Sequence, residues 1–323
     1  MKTNDVIGIG NALMDFLIEV EDNKLLEMNL NKGEFHLVEE NEAKQYLEKI
    51  KEHKMEIVPG GSVANTLRGL GLLGSKVILC GKVGNDPHGE MYEEKIKEHN
   101  VSSRLKKYHA TTGHALTFIT PDSERTFSVH LGAAIEIEKE DILEEDIKDS
   151  KILHLEGYQF EGKTKEVVLH AMELAKKHNT LISLDLADPG VIRRNKEFFL
   201  SIIKKVDILF VNETEAKEFT GKDEVDALTD LAEHCKIAIV KLGKNGSIIS
   251  NEGEISMIDP FTANPVDTTG AGDTFAAGFL YGYCNGWDIQ RSGKLGSLLA
   301  SKIIEQKGVK LDQIKIDTLK ELV

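Results

Sequence analysis

The sequence has little that would cross-link, stiffen or anchor it. Its three cysteines, Cys80, Cys235 and Cys284, are far apart and sit in no CxxC or Cys/His spacing. That excludes a disulfide scaffold and a zinc module, and it suits a reducing cytoplasm. No window approaches the roughly 18 apolar residues of a membrane span, and the residues before Val6-Ile-Gly-Ile-Gly10 form no signal-peptide core. A soluble cytoplasmic protein without a membrane partner is the expectation. Positive charge is also scarce. Forty Lys and Arg against 54 Asp and Glu leave a net charge of −14, with no basic stripe, so nucleic acid is excluded as a partner. Any phosphorylated ligand has to be held by local architecture. Repeats, low-complexity tracts and linkers are missing too, and 323 residues suffice for one well-buried α/β core.

What is present is an alternation of short apolar runs and helical patterns. Val6–Gly10, Lys76–Lys82, Ile152–Leu155, Leu181–Asp185, Ile208–Val211 and Ile237–Lys241 read as strands, and most are followed by amphipathic stretches such as Lys163–Lys177 or Glu213–Thr220. This is the βαβ pattern of a parallel, helix-covered sheet. Two stretches depart from it: Phe16–Val20 with Glu34–Val38, and Thr111–Thr120 with Thr126–Leu131. They predict a small accessory sheet of paired strands, the second pair joined by a turn at Pro121-Asp122-Ser123-Glu124. Such a sheet suits a lid that keeps water from a reacting phosphate. Glu136–Lys151, rich in Lys and Glu, reads as a solvated helix face.

The most informative motif is Asp267-Thr-Thr-Gly-Ala-Gly-Asp273, which runs directly into the apolar stretch Thr274–Tyr281. Small residues at a helix start leave backbone N–H groups bare, and the helix dipole attracts an anion there. Asp273 would stand beside a bound phosphoryl group, placed to accept a proton from an attacking hydroxyl. An ordinary helix cap is the competing reading. A second glycine pair, in Pro59-Gly-Gly-Ser-Val-Ala-Asn65, precedes a helix over Thr66–Leu73 and lets the backbone approach a ligand, with Asn65 able to bond a hydroxyl. Asp15, a lone carboxylate before Phe16-Leu-Ile18, could hold a sugar diol.

Gly60–Asn65 and Asp267–Asp273 resemble the two signatures of the ribokinase-like (PfkB) family of carbohydrate and nucleoside kinases, in the expected order and over nearly the whole chain. Between them, Val211-Asn-Glu-Thr-Glu-Ala216 is similar to that family's N-x-x-E element, and Lys241-Leu-Gly-Lys-Asn-Gly246 to its glycine-containing strand end near the nucleotide. The resemblance implies an α/β three-layer sandwich around a mostly parallel twisted sheet. It also implies one domain over 1–323, with lid segments at about 16–38 and 108–132. By the same token Asp273 is the expected catalytic base, and Gly270, Ala271 and Gly272 the anion hole. Asn212 and Glu215 would organise Mg2+ through water, and Lys241, Gly243 and Gly246 would lie at the ATP. Arg125 would close over the phosphates, Asp15, Gly61 and Asn65 would hold sugar hydroxyls, and Asp267 matches the position near which many members take a monovalent cation such as K+.

Gly8–Asp15, His154-Leu-Glu-Gly-Tyr158, Asn212–Ala216 and Asp267–Leu280 together look most like the bacterial adenosine-kinase-like branch. That implies ATP-dependent phosphorylation of the adenosine 5′-hydroxyl to give AMP, with Leu37, Leu116, Phe118 and Tyr158 as walls for the base. Another sugar or nucleoside kinase of the family, for ribose, fructose, inosine, guanosine or cytidine, is the alternative. A silent nucleoside-binding regulator is a further one. Monomer and homodimer stay equally open. Two decoys compete. Gly157–Thr164 satisfies the P-loop pattern, but bulky Tyr158 and Phe160 and anionic Glu161 suit a triphosphate poorly, and Gly8-Ile-Gly10 lacks the third glycine of a dinucleotide fingerprint.

Overall fold

The computed structural model describes residues 2–122 and 124–323; Ser123 of the expected turn lies outside them. The strands are β1 (Asn4–Ile9), β2 (Leu13–Glu19), β3 (Phe35–Leu37), β4 (Met55–Gly60), β5 (Val77–Gly84), β6 (Val101–Tyr108) and β7 (Gly113–Ile119). There follow β8 (Arg125–His130), β9 (Ser150–Glu156), β10 (Leu181–Asp185), β11 (Ile208–Asn212), β12 (Ile237–Lys241), β13 (Ser247–Asn251) and β14 (Glu254–Ile258).

Nine of them form one sheet in the order β14-β13-β12-β11-β10-β9-β1-β5-β6. It is parallel from β12 to β6, and β13 and β14 add an antiparallel edge. Chain order reverses around β1, so the crevice beyond the carboxyl ends of the central strands is the natural ligand site of such a sheet. Adjacent residues of one strand feed opposite layers. Val6, Leu79, Ile152, Phe210 and Ile239 pack with Val63, Leu67, Phe275 and Phe279, whereas Ile7, Ile78, Leu153, Leu209 and Val240 pack with Val168, Met172, Ile192 and Leu228. Helices thus cover both faces, giving the expected three layers. Among the described residues no helix is long and apolar enough to cross a membrane.

The remaining five strands form the smaller sheet, in the order β3-β8-β7-β2-β4. The expected second pair is present, β7 lying antiparallel to β8, but β2 and β3 do not pair with each other: β2 lies parallel to β7 and antiparallel to β4, and β3 lies parallel to β8. One side of this sheet, Met14, Phe16, Ile18, Leu116 and Phe118, is buried with Ala43, Tyr46 and Ile50 of the Glu40–Ile50 helix. The Glu136–Lys151 stretch is not one helix. It consists of short 3-10 turns, a five-residue helix Glu144–Lys148 and the start of β9; the inward-facing Ile137, Ile142 and Ile147 recur every fifth residue, a spacing that no single face of an α-helix keeps.

Gly8 and Gly10 in β1 serve packing. A Cβ on Gly8 would lie 2.4 Å from Val63 Cγ1, and one on Gly10 would lie 2.6 Å from Val63 Cβ. Their bare backbone lets the Ser62–Leu73 helix settle onto β1 and brings its N-terminus to the crevice. Gly8→Ala should therefore cost about 1–3 kcal/mol through overpacking. In a Val63→Ala background the added cost should shrink by more than about 0.5 kcal/mol, as a urea double-mutant cycle would measure.

Candidate active site

Four neighbouring strands end on polar residues: Glu156 on β9, Asp185 on β10, Asn212 on β11 and Lys241 on β12. Asp185 is in register with Glu156, and Lys241 with Asn212, so the four form a shelf across the carboxyl edge. Above it stands the N-terminus of the Ala271–Cys284 helix, entered through Gly270 at φ 75°. The Ala271 amide is turned to the Thr268 carbonyl at 3.2 Å. The amides of Gly270, Gly272 and Asp273 have no such partner among the described residues. Of the three amides expected to meet an anion, that of Ala271 is thus engaged, while those of Gly270 and Gly272 are free and that of Asp273 is free beside them, among the described residues. The Lys241 ammonium lies 3.0 Å from where a Cβ on Gly272 would stand, and it is paired with Asp185 at 2.7 Å. Burial alone would lower the Lys241 pKa, but Asp185, Glu215 and Asp273 together hold it above its ordinary value. A cation beneath bare amides is an arrangement that favours an anion.

The two sequence signatures meet at Asp273. Its carboxylate accepts from Ser62 Oγ at 2.8 Å and from Asn65 Nδ2 at 2.9 Å, and its carbonyl accepts from Thr66 Oγ1 at 3.1 Å. Burial raises its pKa to about 6, against the pull of the Asn65 and Ser62 hydrogen bonds. Gly61 precedes the Ser62–Leu73 helix at φ 92°, where a Cβ would fall 2.2 Å from the Asn11 carbonyl, so only glycine fits. Sequence reading missed Arg68. It is fully buried and donates to Pro59 O at 2.7 Å and to Asn65 Oδ1 at 3.1 Å, which fixes the Asn65 amide with its NH2 toward Asp273.

Asp15 faces this cluster from the smaller sheet, in a space that a side chain on Gly60 would fill. Burial lifts its pKa to about 7; Asp273 adds to the rise, while Arg68 and Arg125 oppose it. The register places Leu37, Val129, Ala115 and Asp15 in one row across β3, β8, β7 and β2. Leu37 is 63 % exposed there, with Phe35 and Phe127 in the next row. Leu116 and Phe118 are not walls of this surface. Both are 0 % exposed and belong to the packed opposite side. The period-2 alternation that puts Asp15 toward the crevice puts Phe16, and with it Leu116, away from it. Tyr158 is 37 % exposed at the shelf, and the carboxylates of Asp188, Glu156, Glu215 and Asp273 add to burial in pushing its pKa up.

Arg125, expected over the phosphates, reaches the loop that leads to them. It bonds Thr269 Oγ1 at 2.6 Å and pairs with Asp267. Asp267 also accepts from the amides of Thr269 and Gly308, at 2.9 and 2.5 Å, so its carboxylate already has a cation in contact. Asn212 and Glu215 form a capping box on the Glu213–Thr220 helix, with exchanged bonds of 2.9 and 2.8 Å. Burial raises Glu215 to about 7, with Asp185 adding and Lys241 opposing. Among the described residues no three His, Cys, Asp or Glu side chains are grouped to hold a metal unaided. Gly243 and Gly246 form the turn after Lys241, closed by Leu242 N to Gly246 O at 2.8 Å.

Comparison with known proteins identifies the family. The model of the pfkB family carbohydrate kinases matches residues 33–316. The chain belongs to that family. A probable sugar kinase from Rhizobium etli superposes with a TM-score of 0.91 at 31 % identity, covering 100 % of this chain and 99 % of that one. Adenosine kinase from Sinorhizobium meliloti gives 0.90 at 31 % identity, with the same coverage. By sequence, 5-dehydro-2-deoxygluconokinase of Geobacillus thermodenitrificans is 30 % identical over 278 residues, 79 % of this chain and 82 % of that protein. This pfkB family member is therefore a sugar or nucleoside kinase that phosphorylates an alcohol group.

The P-loop decoy dissolves in the structure. Gly157–Thr164 forms two 3-10 turns, with Phe160 buried and Glu161 held by Arg194 and Asn195. Lys163 points outward to Glu136 at 2.8 Å. Lys163→Ala should leave the unfolding midpoint unchanged and kcat within about twofold, since an exposed ion pair contributes little; thermal melts and steady-state turnover check both.

Proposed function

We propose that this pfkB family kinase transfers the γ-phosphoryl group of ATP to the 5′-hydroxyl of a nucleoside, adenosine first among them, giving AMP and ADP. The observation that carries the reading is the row Leu37, Val129, Ala115, Asp15, an apolar surface that ends in a carboxylate facing Asp273. A base would lie on the apolar part, with Tyr158 closing the other side, while Asp15 and Asn65 would bond the ribose diol. The 5′-oxygen would then point toward Asp273. The fold likeness to Sinorhizobium meliloti adenosine kinase supports the same assignment. The likeness to 5-dehydro-2-deoxygluconokinase favours a second reading, a small sugar acid held by hydroxyl contacts and by Arg68 or Arg125.

In the transfer step the acceptor hydroxyl gives its proton to Asp273 as its oxygen bonds to the γ-phosphorus and the bond to ADP breaks. The amides of Gly270, Gly272 and Asp273 and the Lys241 ammonium stabilise the charge on the moving group. The smaller sheet acts as the lid that excludes water, and Arg125 ties it to the phosphate loop through Asp267 and Thr269. An all-oxygen pair without a preformed cage suits a small ion that keeps its water shell. Asn212 and Glu215 would hold Mg2+ through water, and Mg2+ would neutralise charge between the phosphates. In this reading Asp267 would favour K+ only once Arg125 has left it for the nucleotide.

Asp273→Asn should lower kcat by about 10²–10⁴ while leaving adenosine affinity within a few-fold, by calorimetry and single-turnover assay. A variant that keeps its turnover would sink the role of Asp273 as base. Because the base must be ionised and its pKa is raised to about 6, kcat/KM should climb with pH through about 6 and level off above it. A panel of nucleosides and sugars with ATP and Mg2+ decides the acceptor: adenosine should give the highest kcat/KM, and a sugar acid in first place would select the second reading.

A further inference from the structure

The Lys241 ammonium stands where elementary electrostatics disfavours a cation. Its side chain is 14 % exposed, and it lies 3.0 Å from where a Cβ on Gly272 would be, under the positive end of the Ala271–Cys284 helix dipole. Burial and the dipole both act against a positive charge there. Among the described residues one carboxylate forms an ion pair with it: Asp185, 5 % exposed, whose Oδ2 accepts from Lys241 Nζ at 2.7 Å. Glu215 and Asp273 add to the negative field, but their carboxylates are committed elsewhere, Glu215 to Asn212 and Asp273 to Ser62 and Asn65.

Asp185 is itself held in place. Its other oxygen, Oδ1, accepts from the Ala187 amide at 3.0 Å, and Ala187 adopts φ 68°, a left-handed conformation that a residue with a Cβ rarely takes. The chain turns tightly around the carboxylate and leaves Oδ2 to the ammonium. An ammonium has three N–H donors, and Lys241 spends one on Asp185; the others have no partner among the described residues. We infer that Asp185 is the positioning residue for the phosphoryl-binding cation: it holds the Lys241 ammonium beneath the bare amides, with donors left over to meet a phosphoryl oxygen. The inference rests on the reading above, in which Lys241 stabilises the moving group. Asp185 touches neither substrate nor the reacting atoms, and the acceptor proton still goes to Asp273.

Two other roles would suit a buried carboxylate on the shelf: an ion pair that only stabilises the fold, and water-mediated help to Asn212 and Glu215 in holding Mg2+. The geometry favours the cation over both. Asp185 ends β10 and Lys241 ends β12, with β11 between them, so the ladder hydrogen bonds on either side of β11 already fix the spacing that the pair spans. Both Asp185 oxygens are also taken, by Ala187 and by Lys241.

The test compares wild type, Asp185→Asn, Lys241→Met and the double variant, as whole chains, with the best acceptor from the panel. Asp185→Asn keeps the shape of the side chain and removes its charge. Its kcat should fall about tenfold or more with KM for ATP within a few-fold, the loss expected when a hydrogen bond to a charged group is weakened in the transition state. In the Lys241→Met background the same substitution should cost less than about twofold, because the group it positions is gone. Wild-type kcat in Asp185→Asn, or an undiminished cost beside Lys241→Met, would overturn the inference. The Mg2+ concentration for half-maximal rate should match wild type; a large rise in it, with kcat restored at saturating Mg2+, would assign Asp185 to the metal and refute the cation role. Nitrogen-15 NMR of the lysine ammonium groups in the ligand-free protein needs no turnover. A resonance missing from Lys241→Met should be present in wild type and broadened or shifted in Asp185→Asn, and the same resonance in both would refute the pairing. Should Asp185→Asn fail to fold because it leaves a buried charge unpaired, Lys241→Met against the double variant, which carries neither charge, decides alone. Full turnover in Lys241→Met would overturn the inference together with the phosphate role of Lys241, whereas failure of the kinase reading would show as no turnover by wild type with any acceptor.

Discussion

Asp273 is where two helix N-termini, more than 200 residues apart in sequence, are tied together. Ser62, Asn65 and Thr66 all donate to that one residue, so the helix with bare N-terminal amides, Ala271–Cys284, is fixed relative to the Ser62–Leu73 helix. The knot exists only because Gly8 and Gly10 let Val63 sink against β1 and because Gly61 and Gly270 adopt turns closed to other residues. Arg68 tightens it from below by deciding which way the Asn65 amide faces. A buried acid wrapped in donors stays a base in spite of its surroundings, because each hydrogen bond favours the charged form that burial disfavours.

Much of the architecture was legible in the chain itself. The central strands are buried on both faces, so β1, β5 and β9 to β12 are near-continuous apolar runs that a sequence reader cannot miss. The overlooked strands are those whose environment is mixed. β6 is an edge strand with Arg104, Lys106 and Lys107 in it, and β4 carries Pro59 and glutamate and joins the smaller sheet by antiparallel pairing. β13 and β14 form a polar hairpin at the opposite edge. The local pair β7 and β8 was legible, but β2 and β3 were read as partners because sequence shows neighbours along the chain, whereas β2 finds its parallel partner about 100 residues later, in β7.

The site divides in the same way. Asp273, Asn65, Gly61 and Asp15 stand out because small residues and lone polar ones are conspicuous beside apolar runs, and the structure brings all of them to one crevice. Glu156 and Asp185 were read only as parts of longer stretches, and Arg68 was not singled out, for want of a motif of their own. Yet a signal was available: Glu156, Asp185, Asn212 and Lys241 each close an apolar strand with a polar residue, and parallel register makes such endings neighbours. Leu116 and Phe118 were misjudged because side chains that alternate along a strand must be assigned to a face before they can be assigned a role. Asp15 supplied that assignment through the register with Ala115.

The two ends of the crevice are built from different material. Apart from Arg125 on β8, the groups that would handle phosphate come from the large sheet and its helices, whereas the row opposite Asp273, Leu37, Val129, Ala115 and Asp15, lies on a sheet with its own packed side. Exposed residues such as Leu37 and Phe35 can change without moving the knot at Asp273 or the shelf beneath it. One phosphoryl-transfer engine can in this way be fitted with different acceptor plates, and a family that includes sugar and adenosine kinases around a shared frame is what such an interchangeable construction would produce.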